Sequence, residues 1–269
     1  MTIATSPSLR RAATWTAAAA LAASPMALAT TTYAAPAKAD AWTVTAKINE
    51  TVAIGKETTL KVRGRVIPKA AGQKVVLQQR VGNKKSWKAT DTAKIKSNGT
   101  YLLKDDPSTP GKRAYRVLKP ASNGFAKGFS PTLDVEVYAW QKLAFRAAGP
   151  TTNMLVGSGA LIATDYYGAS LVSDLSGAPS SIEYTLGRKC LELRATYALT
   201  DSSASGSSGV VVVSTDGAIR ASHALSVGTV VADSVIDDED AFRIKLDLST
   251  SATPAAVAAI ATPEVLCTR

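Results

Sequence analysis

Alternation of apolar and polar residues with a period of two is the feature that most constrains how this chain can fold. Such alternation suits a β-strand, because successive side chains of a strand point to opposite faces of a sheet. Between residues 40 and 140 it predicts seven strands, at residues 42–48, 58–66, 74–81, 87–96, 100–104, 114–118 and 133–138. Seven short strands in about 100 residues, with turn residues between them, predict an immunoglobulin-like β-sandwich.

The second half of the chain shows the same alternation, interrupted by clusters of Gly and Ser. Its clearest runs lie at residues 181–185, 190–198, 209–214, 218–224, 234–237 and 241–248. The alanine-rich residues 255–261 fit one or two helical turns, but we favour a path into a closing strand that ends at 265–267. We therefore predict an all-β protein with two tandem β-sandwiches.

The net charge of the chain changes sign at about residue 140. Residues 40–140 carry 19 Lys and Arg against 8 Asp and Glu, whereas residues 141–269 carry 9 against 13. The first part has a net charge of +11 and the second a net charge of −4. These differences predict one domain at residues 40–140 and another at 141–269, with a hinge at residues 147–150.

The N-terminus has the order of a secretory signal peptide. Arg10 and Arg11 precede an uncharged, alanine-rich run at residues 12–29, and small residues recur with A-x-A spacing at 27–29 and 37–39. We favour the later cleavage site, which gives a signal peptide at residues 1–39; export by a twin-arginine route is the alternative. No later run approaches the length of about 20 apolar residues that a spanning helix needs. We expect a secreted protein, extracellular or associated with the cell wall, and no membrane insertion after cleavage.

Cys190 and Cys267 are the two cysteines of the chain. An even pair in an exported protein favours a disulfide, with two separate buried thiols as the alternative. Two cysteines and one histidine without C-x-x-C spacing cannot assemble a zinc site. The acidic residues 237–240 suit calcium or a solvated hairpin tip, and we favour the tip because EF-hand spacing is absent. We therefore predict no metal and no cofactor.

Six short motifs mark the first domain: V-x-G-x-V-x-P at 62–68, G-x-x-V-x-L-Q-x-R at 72–80, Trp87, G-x-Y at 99–101, Y-R-V at 115–117 and S-P-x-L-x-V at 130–135. With these motifs the domain resembles the bacterial extracellular immunoglobulin-like domains. The resemblance implies an exterior location and a role as spacer, adhesive module or stalk, not as an enzyme. Since this domain has no cysteine pair, we expect Trp87 to pack in a core without a disulfide.

The excess of positive charge in the first domain suggests a cationic face. We predict that this face consists of Lys84, Lys85, Lys88, Lys94, Lys96, Lys112 and Arg113. An anionic cell-wall polymer is the partner it fits, and a merely solvated face is the favoured alternative. Nucleic acid is not expected, because no RNA-binding aromatic motif or helix-turn-helix pattern occurs.

Seven segments of the second domain form a characteristic succession, at residues 167–170, 182–189, 200–203, 210–217, 225–228, 243–247 and 263–267. With these segments the domain resembles the NPCBM-type carbohydrate-binding module that accompanies many glycoside hydrolases. The resemblance implies a jelly-roll sandwich that binds carbohydrate. A Trp-Gly pair of that pattern is replaced here by Ile260-Ala261.

Sugar binding needs an aromatic ring for the apolar face of the sugar and polar groups for its hydroxyls. Tyr166 and Tyr167, in a segment bounded by glycine, are the candidate rings, with packing as the alternative; Ser170 and His223 are further candidate ligand-binding residues, although a structural role is favoured for His223. We interpret Tyr184 and Phe242 as core residues because they alternate with polar neighbours.

The sequence contains no recognisable catalytic motif. Neither G-x-S-x-G nor G-D-S-G occurs, so a serine nucleophile with His223 as its base is not expected. Carboxylate pairs could be drawn from Glu183, Asp201, Asp216 and Asp237, but such pairs are common in any chain. We predict a non-catalytic protein that binds an extracellular glycan or wall polymer. The alternative is a structural or adhesive protein without a sugar site.

Overall fold

The computed structural model describes residues 39–268, which form nineteen β-strands and one short 3-10 helix, Leu143–Phe145. The predicted all-β fold, built from several antiparallel sheets, is therefore confirmed. The predicted signal peptide lies outside the described residues, apart from residue 39. Among residues 39–268 no helix is long and apolar enough to cross a membrane.

The strands of the first half are β1 (Thr43–Ile48), β2 (Val52–Ile54), β3 (Leu60–Ile67), β4 (Lys74–Val81), β5 (Lys88–Lys94), β6 (Thr100–Asp105), β7 (Gly111–Lys119), β8 (Gly128–Phe129) and β9 (Leu133–Lys142). The strands of the second half are β10 (Ala148–Thr152), β11 (Met154–Ile162), β12 (Asp165–Ser173), β13 (Ser180–Thr185), β14 (Cys190–Leu199), β15 (Ser208–Thr215), β16 (Ala218–Ser226), β17 (Val230–Asp237), β18 (Arg243–Thr250) and β19 (Ala258–Cys267).

The first half consists of two sheets around one core. One sheet has the strand order β1-β3-β6 and is antiparallel; the other runs β5-β4-β7-β9, with β8 beside β7 and β2 parallel to β9. Alternation places Leu60, Val62 and Val66 of β3 inward, where each is fully buried. Together with Leu77 and Val117 of the facing sheet they form a single hydrophobic cluster, the packing expected of a β-sandwich.

Trp87 does not lie in this core, so that part of the sequence prediction is wrong. The buried aromatic residues here are Trp42, Tyr101 and Tyr115, whereas Trp87 lies half-buried in the connection between β4 and β5. The guanidinium carbons of Arg80 and Arg116 lie 4.9 and 4.2 Å from the centroid of its ring. A ring flanked by two charged groups sits at the protein surface, because guanidinium groups stay hydrated there while they stack on the ring.

The second half also has two sheets around a core. One sheet runs β10-β13-β18-β15-β16, and the other runs β11-β12-β19-β14-β17. Tyr184, Tyr197 and Ile260 are among the fully buried side chains between them. The alanine-rich stretch leads into β19, which confirms the path into a closing strand that the sequence favoured over a helix.

Strand β9 connects the two halves. Its first residues pair with β7 and β2, and its last four residues, from Ala139 to Lys142, pair with β19. The predicted boundary between residues 140 and 141 therefore falls inside a strand. Of the residues predicted as a hinge, 147–150, the last three lie within β10, whose Ala148 and Thr151 pair with Tyr184 and Ile182 of β13.

The predicted disulfide between Cys190 and Cys267 is confirmed. The two cysteines lie directly opposite each other on β14 and β19, with their Cα atoms 4.0 Å apart. The bond therefore joins two adjacent strands of one sheet, 77 residues apart in sequence.

Candidate functional site

The hairpin formed by β11 and β12 leaves the sheet to which it belongs. Only Leu171 and Val172 of β12 pair with β19, and the register between β11 and β12 shifts twice around Ser158. Beyond that point the hairpin packs against the sheet through side chains. Ala160 and Ile162 form a small apolar cluster with alanines of β14 and β19. Because these neighbours have short side chains, the hairpin backbone can lie close to the sheet.

Asp201 holds the tip of this hairpin. The turn residues Ala163 and Thr164 have φ angles of 49° and 74°, a left-handed backbone conformation that residues other than Gly and Asn seldom adopt. The two carboxylate oxygens of Asp201 accept hydrogen bonds from the backbone N–H groups of Ala163 (2.8 Å) and Thr164 (3.0 Å). The N–H of Asp201 in turn donates to the carbonyl of Leu161. These three bonds fix the turn that precedes Tyr166.

Tyr166 is an exposed aromatic ring on this fixed hairpin, with 72% of the residue accessible to solvent. Its hydroxyl, Cζ and Cε2 occupy the space that a side chain at position 159 would fill. Because Gly159 has no side chain, the Tyr166 ring can lie against the backbone of β11. Because most of the residue is exposed, the ring is accessible for stacking.

A surface depression of about 500 Å³ lies beside the ring. It is lined by Tyr166, Leu161 and Val257, and by the polar residues Thr200, Asp201 and Ser202. This volume lies within the range of small-ligand sites. One aromatic ring beside hydroxyl and carboxylate groups is the composition that a sugar requires.

Tyr167 points to the opposite side of the hairpin, as successive residues of a strand must. It is half-buried, packs against the small cluster under the hairpin, and lines a separate depression of about 370 Å³ with Arg194, Asp233 and Glu264. The two neighbouring tyrosines of the sequence prediction thus belong to two different surfaces.

Ser170 and His223 lie away from the Tyr166 ring. Ser170 is fully buried; its hydroxyl donates to the carbonyl of Tyr167 (3.0 Å) and accepts from the N–H of Thr262 (3.2 Å). His223 lies on β16, in the sheet opposite β12, and its ring stacks on that of Tyr197 with centroids 5.4 Å apart. We therefore assign both residues structural contacts and leave them out of the candidate site.

Two of the candidate carboxylates, Glu183 and Asp216, share a depression of about 540 Å³ on the outer face of the β13-β18-β15 sheet. Asp216 accepts hydrogen bonds from the N–H groups of Phe242 (3.0 Å) and Arg243 (2.9 Å), which hold its pKa below the usual range. Glu183 pairs with Arg243 at 3.4 Å. These partners orient both groups toward the protein itself.

Phe242 lines the same depression and is exposed, so the interpretation of this residue as a core residue is wrong. Tyr184 is buried in the core of the second half, as predicted. The two residues differ because Tyr184 lies within β13, whereas Phe242 precedes β18 at the rim of the sheet.

The acidic run at 237–240 does not converge on one point. Asp237 accepts a bond from the N–H of Glu239 at 2.9 Å, while the side chain of Asp238 is fully buried with neither oxygen hydrogen-bonded. Across residues 39–268 no group of three or more His, Cys, Asp or Glu side chains is placed to hold a metal. Burial raises the pKa of Asp238 to about 7.

Sequence reasoning missed the contributions of Gly159 and Asp201 to the Tyr166 surface. The repeated glycines at 157 and 159, one hairpin turn before two tyrosines, were the available signal. Asp201 offered none, because it lies 35 residues after Tyr166 and only the tertiary fold brings it to the turn. The sequence matches no protein-family model and no curated protein.

Proposed function

We propose that this protein is a secreted, non-catalytic glycan-binding protein that uses Tyr166 as a stacking ring. In this proposal a cleaved signal peptide at residues 1–39 precedes an immunoglobulin-like spacer and a jelly-roll module of the NPCBM type. The observation that carries the proposal is the exposure of Tyr166 on a hairpin tip held by Asp201 and Gly159. A rigid, exposed ring loses little conformational freedom when a sugar stacks on it.

The non-catalytic part of the proposal rests on the carboxylates. A glycosidase needs one carboxylic acid with a raised pKa to protonate the leaving group. The pKa of Asp216 is lowered by its two backbone hydrogen bonds. Asp238, whose pKa is raised, is fully buried and cannot reach a substrate. Both carboxylate oxygens of Asp201 accept hydrogen bonds from backbone N–H groups of the hairpin turn. The disulfide adds weak support for an exterior location, since such bonds persist in oxidising compartments.

The test measures retention of the complete secreted chain on a glycan array and on insoluble polysaccharides. The chain should not be cut at residue 140, because this would divide β9. We expect Tyr166→Ala to weaken binding about tenfold, equivalent to about 1.4 kcal/mol, and Tyr166→Phe to retain most of it. Gly159→Ala should also weaken binding, because the new methyl group displaces the ring while the tyrosine remains.

Phe145→Ala is the matched control, since Phe145 is an equally exposed ring outside the depression. Equal losses for Phe145→Ala and Tyr166→Ala would show nonspecific aromatic adhesion and reject the site. Failure of the wild-type chain to bind any glycan would favour the alternative, a structural or adhesive protein. The continuous pairing of β9 with β19 is the observation that favours this alternative.

A further inference from the structure

The outer face of the β1-β3-β6 sheet concentrates positive charge. Lys61, Arg63 and Arg65 alternate along β3, so all three side chains point away from the core. Strand β1 adds Lys47 and strand β6 adds Lys104 to the same face. We call these five residues, Lys47, Lys61, Arg63, Arg65 and Lys104, the cationic face.

Like charges lie directly opposite each other on this face. Lys47 is paired with Arg63 across β1 and β3, and Lys61 is paired with Lys104 across β3 and β6. Directly opposed like charges destabilise a sheet. A sequence that keeps two such pairs accepts a cost in stability, which is typical of a functional surface.

The five cations form no ion pair with a carboxylate among the described residues. Asp91, beside Lys104, accepts bonds from the backbone N–H groups of Thr92 and Lys104, and Glu50 accepts from the side chain of Asn49. The face therefore presents its charge to solvent.

The shape of the face suits an extended chain. A shallow depression of about 640 Å³ runs over it, with Lys47, Lys61, Arg63 and Arg65 in its lining. Alternate residues on a strand lie about 7 Å apart and neighbouring strands about 4.8 Å apart, so the cations form a regular grid. The other outward residues include Thr45, Thr100 and Leu102, and none of the outward residues on these three strands is aromatic.

From this arrangement we propose that the cationic face binds a linear phosphodiester polymer without rings, such as a polyol phosphate. Arginine forks bind phosphate oxygens through two parallel bonds, and a grid of cations matches charges repeated along a flexible chain. Nucleic acids and sugar-acid polymers carry rings that gain affinity by stacking, which this face does not offer. The inference is independent of the proposed sugar site, because the two surfaces lie in different halves of the chain.

This face is not the one predicted from the sequence. Of the predicted residues, Arg113 is buried and bonded to Gln79 and Thr109, while Lys88 and Lys94 lie on β5 in the other sheet of the sandwich. The signal that was overlooked is the alternation of Lys61, Arg63 and Arg65, since basic residues spaced by two share one face of a strand.

The experiment measures binding of the complete secreted chain to fluorescent poly(glycerol phosphate) by anisotropy, at low and high salt. We expect the triple variant Lys47→Gln/Arg63→Gln/Lys104→Gln to lose at least tenfold in affinity and to reduce the salt dependence of binding. The same variant should unfold at an equal or higher temperature than wild type, because it removes both like-charge pairs. Loss of binding without loss of stability separates a binding role from a structural one.

The control is Lys84→Gln/Lys85→Gln/Lys88→Gln, which removes the same net charge from the β4–β5 connection and the start of β5 and should keep wild-type affinity. Equal losses in the two triple variants would show attraction by net charge alone and overturn the proposal. Tighter binding of polygalacturonate or single-stranded DNA than of poly(glycerol phosphate) would also overturn it. Tyr166→Ala should leave binding of poly(glycerol phosphate) unchanged. The proposed glycan site and the cationic face can therefore be rejected independently of each other.

Discussion

The guanidinium carbon of Arg194 lies 4.0 Å from the centroid of the Trp140 ring, although the two residues belong to different halves of the chain. Arg194 also donates from Nε and Nη2 to Oε2 of Glu264, at 2.8 and 2.6 Å. These contacts lie where β9 pairs with β19, so side chains reinforce the backbone connection between the halves.

We predict that Arg194→Ala lowers the free energy of unfolding by about 1–2 kcal/mol, because it removes a cation–π contact and an exposed ion pair together. Arg194→Lys should cost less, since it keeps the charge but loses the planar stack. Urea denaturation measures both. An effect of Arg194→Ala that persists undiminished in a Trp140→Leu background would contradict coupling between the two residues.

Replacing both cysteines by serine should destabilise the second half. The bond closes a loop of 77 residues, for which the chain-entropy relation gives about 4.5 kcal/mol, within a usual range of about 2–5 kcal/mol. Guanidinium denaturation of Cys190→Ser/Cys267→Ser, compared with oxidised wild type and with reduced wild type as a control, checks the value. Identical stability of the oxidised and serine proteins would show that the bond adds nothing to this fold.

Asp201→Ala should loosen the hairpin tip while leaving the core intact. The variant removes the acceptors for two N–H groups of a left-handed turn, so those amides lose their partners. We expect faster hydrogen exchange at Ala163 and Thr164 and weaker glycan retention, with a loss of about 1–2 kcal/mol in stability. Asp165→Ala, an exposed carboxylate in the same turn, is the control and should leave exchange at both amides unchanged.

Asp238 should make stability depend on pH. Burial raises its pKa from 3.8 to about 7, opposed by Arg220 and assisted by Asp237. Between pH 4 and 7 the folded protein therefore keeps a proton that the unfolded chain has released, and its contribution favours folding below pH 4 and weakens as pH rises to 7. A shift of this size corresponds to about 4 kcal/mol.

The pH dependence is measured by comparing wild type with Asp238→Asn in urea denaturation from pH 4 to 8. The difference between the two curves isolates this residue, and the variant should gain stability relative to wild type as pH rises. Parallel curves would show that Asp238 is ionised in the folded state throughout this range.

The sequence by itself determined the disulfide and most of the longer strands, because both depend on local signals, but it did not predict β10, β11 or β12. Period-two alternation identifies Leu60, Val62 and Val66 as one buried face without any knowledge of their neighbours. A chain with two cysteines offers each of them one possible partner, so Cys190 and Cys267 could be paired from composition.

Only the tertiary structure decided where the surfaces lie. Tyr166 and Tyr167 are adjacent in sequence, yet they face opposite sides of the hairpin, and the acidic partner of the turn comes from a distant loop. The cationic face likewise depends on which strands pair, since Lys47 and Lys104 join β3 only through the sheet register. Strand alternation is a property of the local chain, whereas strand pairing is chosen by long-range packing, and that is why the sites emerge only when the sheets are assembled.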